Sequence, residues 1–223
     1  MNVDVVNMKR GPMDRKRAEA GAERTDRYHH GNLKPVLIAV ARDMLERDGP
    51  ETLSLRAVAQ GAGVSRTAPY NHFDDKEALL AALAEDGFHA FAAAQREAAE
   101  GVASTEARLV ALGRAYVAFA LAHPQLYRLM YGVGVADWCR HPTVTEAKRA
   151  SFEPVQTALA EHLGPSTDAV GLRVAAVSAW AEVHGLSMLL LDGSLGPDRD
   201  AAGGTDALVE TILVTYVAGL RQR

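Results

Sequence analysis

The amino-acid sequence predicts an all-α protein, and three observations carry that prediction. Apolar residues recur at three- and four-residue steps in one stretch after another, the spacing that lines one face of a helix. No stretch shows the two-residue alternation of a half-buried strand. Gly, Pro and small polar residues punctuate the chain where the periodic stretches begin and stop.

Residues 1–27 are rich in charge, Gly and Ala without apolar periodicity, and are expected to form a flexible basic tail. Order is expected from Tyr28-His29-His30-Gly31-Asn32, with Gly31 or Asn32 as the cap. Leu33, Val36, Leu37, Val40, Ala41, Met44 and Leu45 mark the first helix, which Gly49-Pro50 ends. Ser54 caps a short second helix carrying Leu55, Val58 and Ala59, and Gly61-Ala62-Gly63 stops it. Ser65 opens a third helix reaching about Phe73. Asp74, three residues before Glu77, then reads as a capping box for a longer fourth helix with Leu79, Leu80, Leu83, Phe88 and Phe91 on one side.

Five more helices are expected. One carries Leu109, Leu112, Tyr116 and Phe119, and a short one after His123-Pro124 carries Leu126, Tyr127, Met130 and Tyr131. A third covers residues 142–163, where Pro154 can kink or divide it. The next bears Val170, Val174, Val177, Ala181 and Met188. A Gly-rich loop from Gly193 to Gly204 leads to the last, with Leu208, Ile212, Leu213, Tyr216, Val217 and Leu220. That makes about nine helices, divided as a tail (1–27), a three-helix unit (28–77) and a carboxy-terminal domain (78–223).

Hydrophobic residues form 48% of the 223, enough for a sizeable core, and the formal net charge is -4. An acidic total argues weakly against a nucleic-acid partner, but the charge is unevenly spread. Residues 9–76 hold 13 Lys/Arg against 10 Asp/Glu, whereas residues 77–223 hold 11 against 17. The densest basic run is Lys9, Arg10, Arg15, Lys16 and Arg17, suited to a solvated tail or to an arm along phosphates. The single cysteine, Cys139, has no intrachain partner and favours a reducing compartment. Charged residues interrupt the amino-terminal stretch, so no signal peptide is expected. Residues 174–191 contain Glu182 and His184 and read as a buried helix, not a span. The expected location is the cytoplasm.

The informative segment is Leu53 to Lys76. Two helices this short gain stability only when packed across a preceding helix, because helix nucleation is costly. The sharp turn between them needs a left-handed residue, which Gly63 supplies, and Val64 can fill the space between the helices. Outward positions of the third helix include Arg66, Thr67 and Asn71, with Tyr70 and His72 nearby. Arginine can bond bidentately to guanine and asparagine to adenine, and a threonine methyl packs on thymine. Tyr, His and Lys76 suit phosphate oxygens.

Ser54-Leu55-Arg56-Ala57-Val58-Ala59, Gly63-Val64-Ser65, Tyr70-Asn71-His72-Phe73 and Lys76-Glu77-Ala78-Leu79 stand in an order and spacing that resembles the TetR/AcrR repressors. The likeness covers about residues 28–83 and is specific as a compound pattern. It implies that Arg56, Arg66, Thr67 and Asn71 read bases while Ser54, Tyr70, His72 and Lys76 hold phosphates. Pro69 departs from a regular third helix, because it lacks a backbone donor and restrains Ala68, so the start of that helix is expected to be tightened or shifted. For Tyr70 and His72 the structural alternative is packing or capping; for Arg56 and Arg66 it is a solvated surface arginine.

Farther on, Trp180-Ala181-Glu182-Val183-His184-Gly185 resembles the TetR subgroup with a Trp…His-Gly signature. Trp180 and His184 lie four apart and project to the same side of a helix. A buried histidine satisfied by one neighbour is the preferred reading; the alternative is a polar anchor in an apolar ligand pocket. Phe88, Phe91, Phe119, Tyr127, Tyr131, Trp138 and Trp180 could line such a pocket or belong to the core. The last two long helices have wide apolar faces that either close the core of a monomer or pair with a second copy in a two-fold, four-helix interface.

No GxSxG elbow, P-loop, HExxH or CxxC pattern occurs, and Gly132-Val133-Gly134 follows no strand. The histidines lack paired ligand spacing. No metal, cofactor or enzymatic activity is expected. Three readings remain: a dimeric repressor released from a palindromic operator by a small molecule, a constitutive DNA-binding dimer with no effector, and a helical enzyme or scaffold containing a helix-turn-helix-like pair.

Overall fold

The computed structural model describes residues 33–132 and 140–220. The tail, the cap expected at Gly31 or Asn32, Trp138 and Cys139 lie outside the described residues. Among those described, ten α-helices and one 3-10 helix occur and no strand does.

The amino-terminal unit comprises α1 (Leu33–Asp48), α2 (Leu55–Gly61) and a 3-10 helix (Ala68–Asn71). Leu37, Ala41 and Leu45 of α1 are fully buried, while Val36 at the margin of the same stripe stays exposed. Gly49, at φ +78°, ends the helix. Ser54 caps α2 by accepting from the Ala57 amide at 3.1 Å. The turn leaving α2 runs through Gly63 at φ +67°, and the Val64 amide reaches back to the Ala59 carbonyl at 3.0 Å. This is the glycine-dependent helix stop the sequence predicts. A Cβ on Gly61 would lie 2.8 Å from Val40 Cγ1, so that glycine lets α2 cross close to α1.

α3 (Lys76–Ala99) continues from this unit into the rest of the molecule, so the expected boundary after residue 77 falls inside one helix. Its cap is Asp75, whose carboxylate accepts from the Ala78 amide at 2.8 Å. The Asp74/Glu77 capping box is thereby corrected by one residue: the Glu77 carboxylate lies 3.2 Å from His141 Nε2 instead.

Next come α4 (Thr105–Ala122), α5 (Pro124–Tyr131), α6 (Pro142–Ser151), α7 (Glu153–Leu163), α8 (Ala169–Leu191), α9 (Gly196–Ala201) and α10 (Thr205–Gly219). Pro154 has no amide for the Ala150 carbonyl, and the stretch 142–163 divides at Phe152. The loop expected between Gly193 and Gly204 contains the six-residue α9. These two additions account for the larger number of elements.

α4 is the central helix of the second half, with α3, α7, α8 and α10 packed around it. One core runs without interruption from Leu37, Leu45 and Phe73 through Leu83 and Phe88 to Tyr116 and Met130. The two expected domains therefore share their interior. On α8 the expectation of a buried helix is overturned: only Ala176, Leu186 and Ser187 are buried. Val170, Val174 and Val177 are 69%, 61% and 55% exposed. By length and composition alone α8 could cross a membrane. One of its faces lies on α4, and the valines occupy the other.

Candidate nucleic-acid interface and regulatory interior

The segment after Gly63 is not the regular helix expected from Ser65 to Phe73. In an α-helix the Ser65 carbonyl would accept from residue 69, but Pro69 has no amide hydrogen. The Ala68 amide takes that place at 3.0 Å, and Tyr70 bonds Thr67 at 3.2 Å. Both are i→i+3 bonds, so the segment tightens to 3-10 geometry. Arg66 and Thr67 consequently sit on the turn before the helix, with the Thr67 hydroxyl 3.2 Å from that of Ser65. Pro69 and Phe73 are buried and fix the segment to the core. Gly63 and the core thus hold the outward side chains in place from behind.

Of the eight predicted contact residues Arg66, Thr67, Tyr70, Asn71 and His72 lie on this segment, Ser54 and Arg56 stand at the start of α2, and Lys76 opens α3. Arg56, Arg66, Thr67, Asn71 and His72 are exposed, and Tyr70 is 56% exposed, which removes core packing as its role. Ser54 is exposed but its hydroxyl already caps α2. Lys76 donates to the Pro50 carbonyl at 2.8 Å, fastening the start of α3 to the turn between α1 and α2. An ammonium has three donors, so that bond leaves capacity for a phosphate. The sequence reading missed Lys34, whose Nζ lies 5.9 Å from the centroid of the Phe73 ring and brings another cation to this region. An aromatic at the end of the recognition segment and a lysine one residue into α1 were the available signals.

The aromatics proposed as a pocket lining have divided roles. Phe88, Phe91, Phe119 and Tyr127 are buried, joined by ring contacts such as Phe88–Tyr131 (5.5 Å) and Phe91–Phe119 (5.3 Å). A narrow apolar cavity of about 50 Å³ lies between α3, α4, α7, α8 and α10. Of the predicted residues only Phe91 and Trp180 line it, together with Tyr116, Phe152, Tyr216 and the buried amide of Gln95. Phe88, Phe119, Tyr127, Tyr131 and His184 do not. Their side chains fill space between helices, as aromatics at helical spacing ordinarily do.

His184 belongs to a hydrogen-bonded chain. Trp180 Nε1 donates to Tyr116 Oη at 3.3 Å, the Tyr116 and Tyr127 hydroxyls are 3.1 Å apart, and Tyr127 Oη is 2.7 Å from His184 Nδ1. One proton order serves all four groups, with Tyr116 donating to Tyr127 and Tyr127 to a neutral imidazole. Burial pushes the Tyr116 and Tyr127 hydroxyls well above their ordinary pKa, so they keep their protons. Burial, followed by the charge of Lys148, lowers His184 below its ordinary 6.5. The Trp…His pair is thus a satisfied polar strut tying α8 to α4 and α5.

The first turn of α5 also meets the amino-terminal unit. The Glu46 carboxylate on α1 accepts from the Gln125 and Leu126 amides at 3.1 and 2.9 Å, capping α5 from outside its own chain segment. Arg42 of α1 is also paired with Asp86 of α3. A Cβ on Gly87 of α3 would stand 2.7 Å from Met130 Sδ, which shows how closely α5 lies against α3.

The family description "Bacterial regulatory proteins, tetR family" matches residues 37–83, and "Tetracyclin repressor-like, C-terminal domain" matches residues 109–212. A curated relative, the uncharacterized HTH-type transcriptional regulator Rv0681 of Mycobacterium tuberculosis, is 27% identical over 187 residues, covering 84% of this chain and 81% of its own. A solved protein with unknown function from Rhodococcus sp. RHA1 is 38% identical with a TM-score of 0.69, over 87% of this chain and 96% of that one. FadR from Bacillus subtilis, solved in complex with stearoyl-CoA, shares the fold at 13% identity and a TM-score of 0.64, over 82% and 97% of the two chains. With a buried-backed helix-turn-helix, an all-helical second half and both family descriptions matched in order, the chain belongs to the TetR family of transcriptional regulators.

Proposed function

We propose that this protein is a homodimeric, cytoplasmic repressor that binds a palindromic operator and is released by a small molecule. The observation that carries the reading is the exposed, core-anchored row from Arg66 to His72, whose side chains match base edges and phosphates. In the proposed contact Arg56, Arg66, Thr67 and Asn71 read bases, while Ser54, Tyr70, His72 and Lys76 hold the backbone. Two copies present two such rows to successive major grooves about 34–36 Å apart. The exposed valines of α8, with Val214 of α10, supply an apolar face for the second copy.

Release requires an effector that favours a conformation with the wrong spacing, and DNA must then weaken effector binding reciprocally. The continuous core, together with α5, which is bonded to α1 through Glu46 and to α8 through Tyr127 and His184, supports coupling between the halves. The cavity's small volume favours one second reading, a dimer that binds DNA constitutively. Filter binding to genomic fragments across a salt series tests the common premise. A DNA-binding regulator retains a specific subset with a steep loss of affinity as salt rises; weak, salt-insensitive retention of all fragments rejects it.

A further inference from the structure

We infer that the interior cavity is built for an uncharged, flat aromatic effector. This rests on the reading of the carboxy-terminal half as an effector domain, and specifies what that domain accepts. Among the described residues no Asp, Glu, Lys, Arg or His lines the cavity. Five aromatic side chains do: Phe91, Tyr116, Phe152, Trp180 and Tyr216. Phe91 and Tyr116 meet edge to face at 5.1 Å, and Phe152 and Trp180 at 6.0 Å, so the wall offers ring faces and ring edges to a planar guest. The side chains on the lining that carry polar atoms are Gln95, Ser151, Tyr116, Tyr216 and Trp180, and Gln95, 4% exposed, donates from Nε2 to the Ser151 carbonyl at 3.2 Å. A guest with a charged group would bury that charge with no counter-ion beside it.

The empty cavity, about 50 Å³, is smaller than the ~150 Å³ that accepts benzene in an engineered protein core. A guest must therefore open it. Phe152 is placed for that: it lies at the break between α6 and α7, where Pro154 has interrupted the helical hydrogen bonding, and its ring closes on Trp180. A shift of α7 against α4 and α8 is then the structural consequence of binding.

The test uses the full chain and three probes of matched shape: 2-naphthol, uncharged at neutral pH, 2-naphthoate and 2-naphthylmethylammonium. Isothermal titration should show 2-naphthol binding once per chain and each charged probe at least ten-fold more weakly. Ala179→Phe, on α8, and Val155→Phe, on α7, fill the cavity from separate walls. Each should abolish 2-naphthol binding while helical circular dichroism and retention of genomic DNA persist. If a filling variant loses its circular dichroism it is set aside, and the comparison of the three probes on the unaltered chain still decides. Equal or tighter binding of a charged probe overturns the inferred class and leaves the effector reading standing. Retained 2-naphthol binding in a folded filling variant overturns the site. Saturable binding of none of the three, with DNA retention intact, overturns the inference and favours the constitutive dimer.

Discussion

Arg66 and Tyr70 lie four residues apart on the same exposed segment, yet the proposed contact gives them different tasks. A guanidinium that grips a guanine edge discriminates sequence, whereas a phenol on a phosphate does not. Arg66→Ala should cost about 1–3 kcal/mol in specific binding and relax the preference at one base position. Tyr70→Phe should weaken every sequence alike. Gel-shift titrations on recovered fragments and their single-base variants check both, and a selective loss for Tyr70→Phe would reverse the assignment. His184 makes a separate prediction. Its folded pKa is below 6.5, so the unfolded chain takes up the proton first as pH falls. Its contribution to stability is complete above 6.5 and is lost as pH drops through the folded value. Urea unfolding should show a steeper acid loss for the native chain than for His184→Gln; parallel curves would remove the strut. The exposure of Arg66, Thr67 and Asn71 was legible, because the sequence sets them at outward positions after the Gly63 turn. The partners of His184 were not legible, since Tyr116 and Tyr127 reach it from two other helices.

At the scale of elements, the local signals that held were those whose physics is local. Ser54 and Gly63 act within one turn of where they stand, and the structure uses both as predicted. Pro69 also acts locally, and the missing amide explains why the recognition segment winds as a 3-10 helix. The cap of α3 is Asp75 and not Asp74, and Glu77 pairs with His141, a residue 64 positions away that no local pattern reveals. Glu46 is the same kind of surprise. It sits on an ordinary surface stretch of α1 in sequence, but its carboxylate satisfies two amides at the start of α5. Removing a side chain that caps a helix start costs about 0.5–2 kcal/mol. Glu46→Ala should lower the urea-unfolding free energy by that amount. Unchanged stability would show that the contact contributes nothing.

For the whole molecule, the continuous core and the uncovered face of α8 matter most. The division at residue 77 was reasonable from motif boundaries, but burial does not respect it: Phe73 and Met130 belong to one interior. The buried reading of 174–191 failed because apolar periodicity reports only that a face seeks cover, and cannot say whether the same chain provides it. Val174→Glu with Val177→Glu should convert a dimer to a monomer in light scattering after gel filtration, with helical content unchanged. A native chain that is already monomeric would deny α8 this role. Operator recognition by a symmetric pair is the central claim, and sequencing the genomic DNA retained by the purified protein reaches it most directly. The account predicts an enriched inverted repeat with half-site centres about one helical turn, or a whole multiple of it, apart. Retained fragments without a common motif, or with a single unpaired half-site, would contradict it.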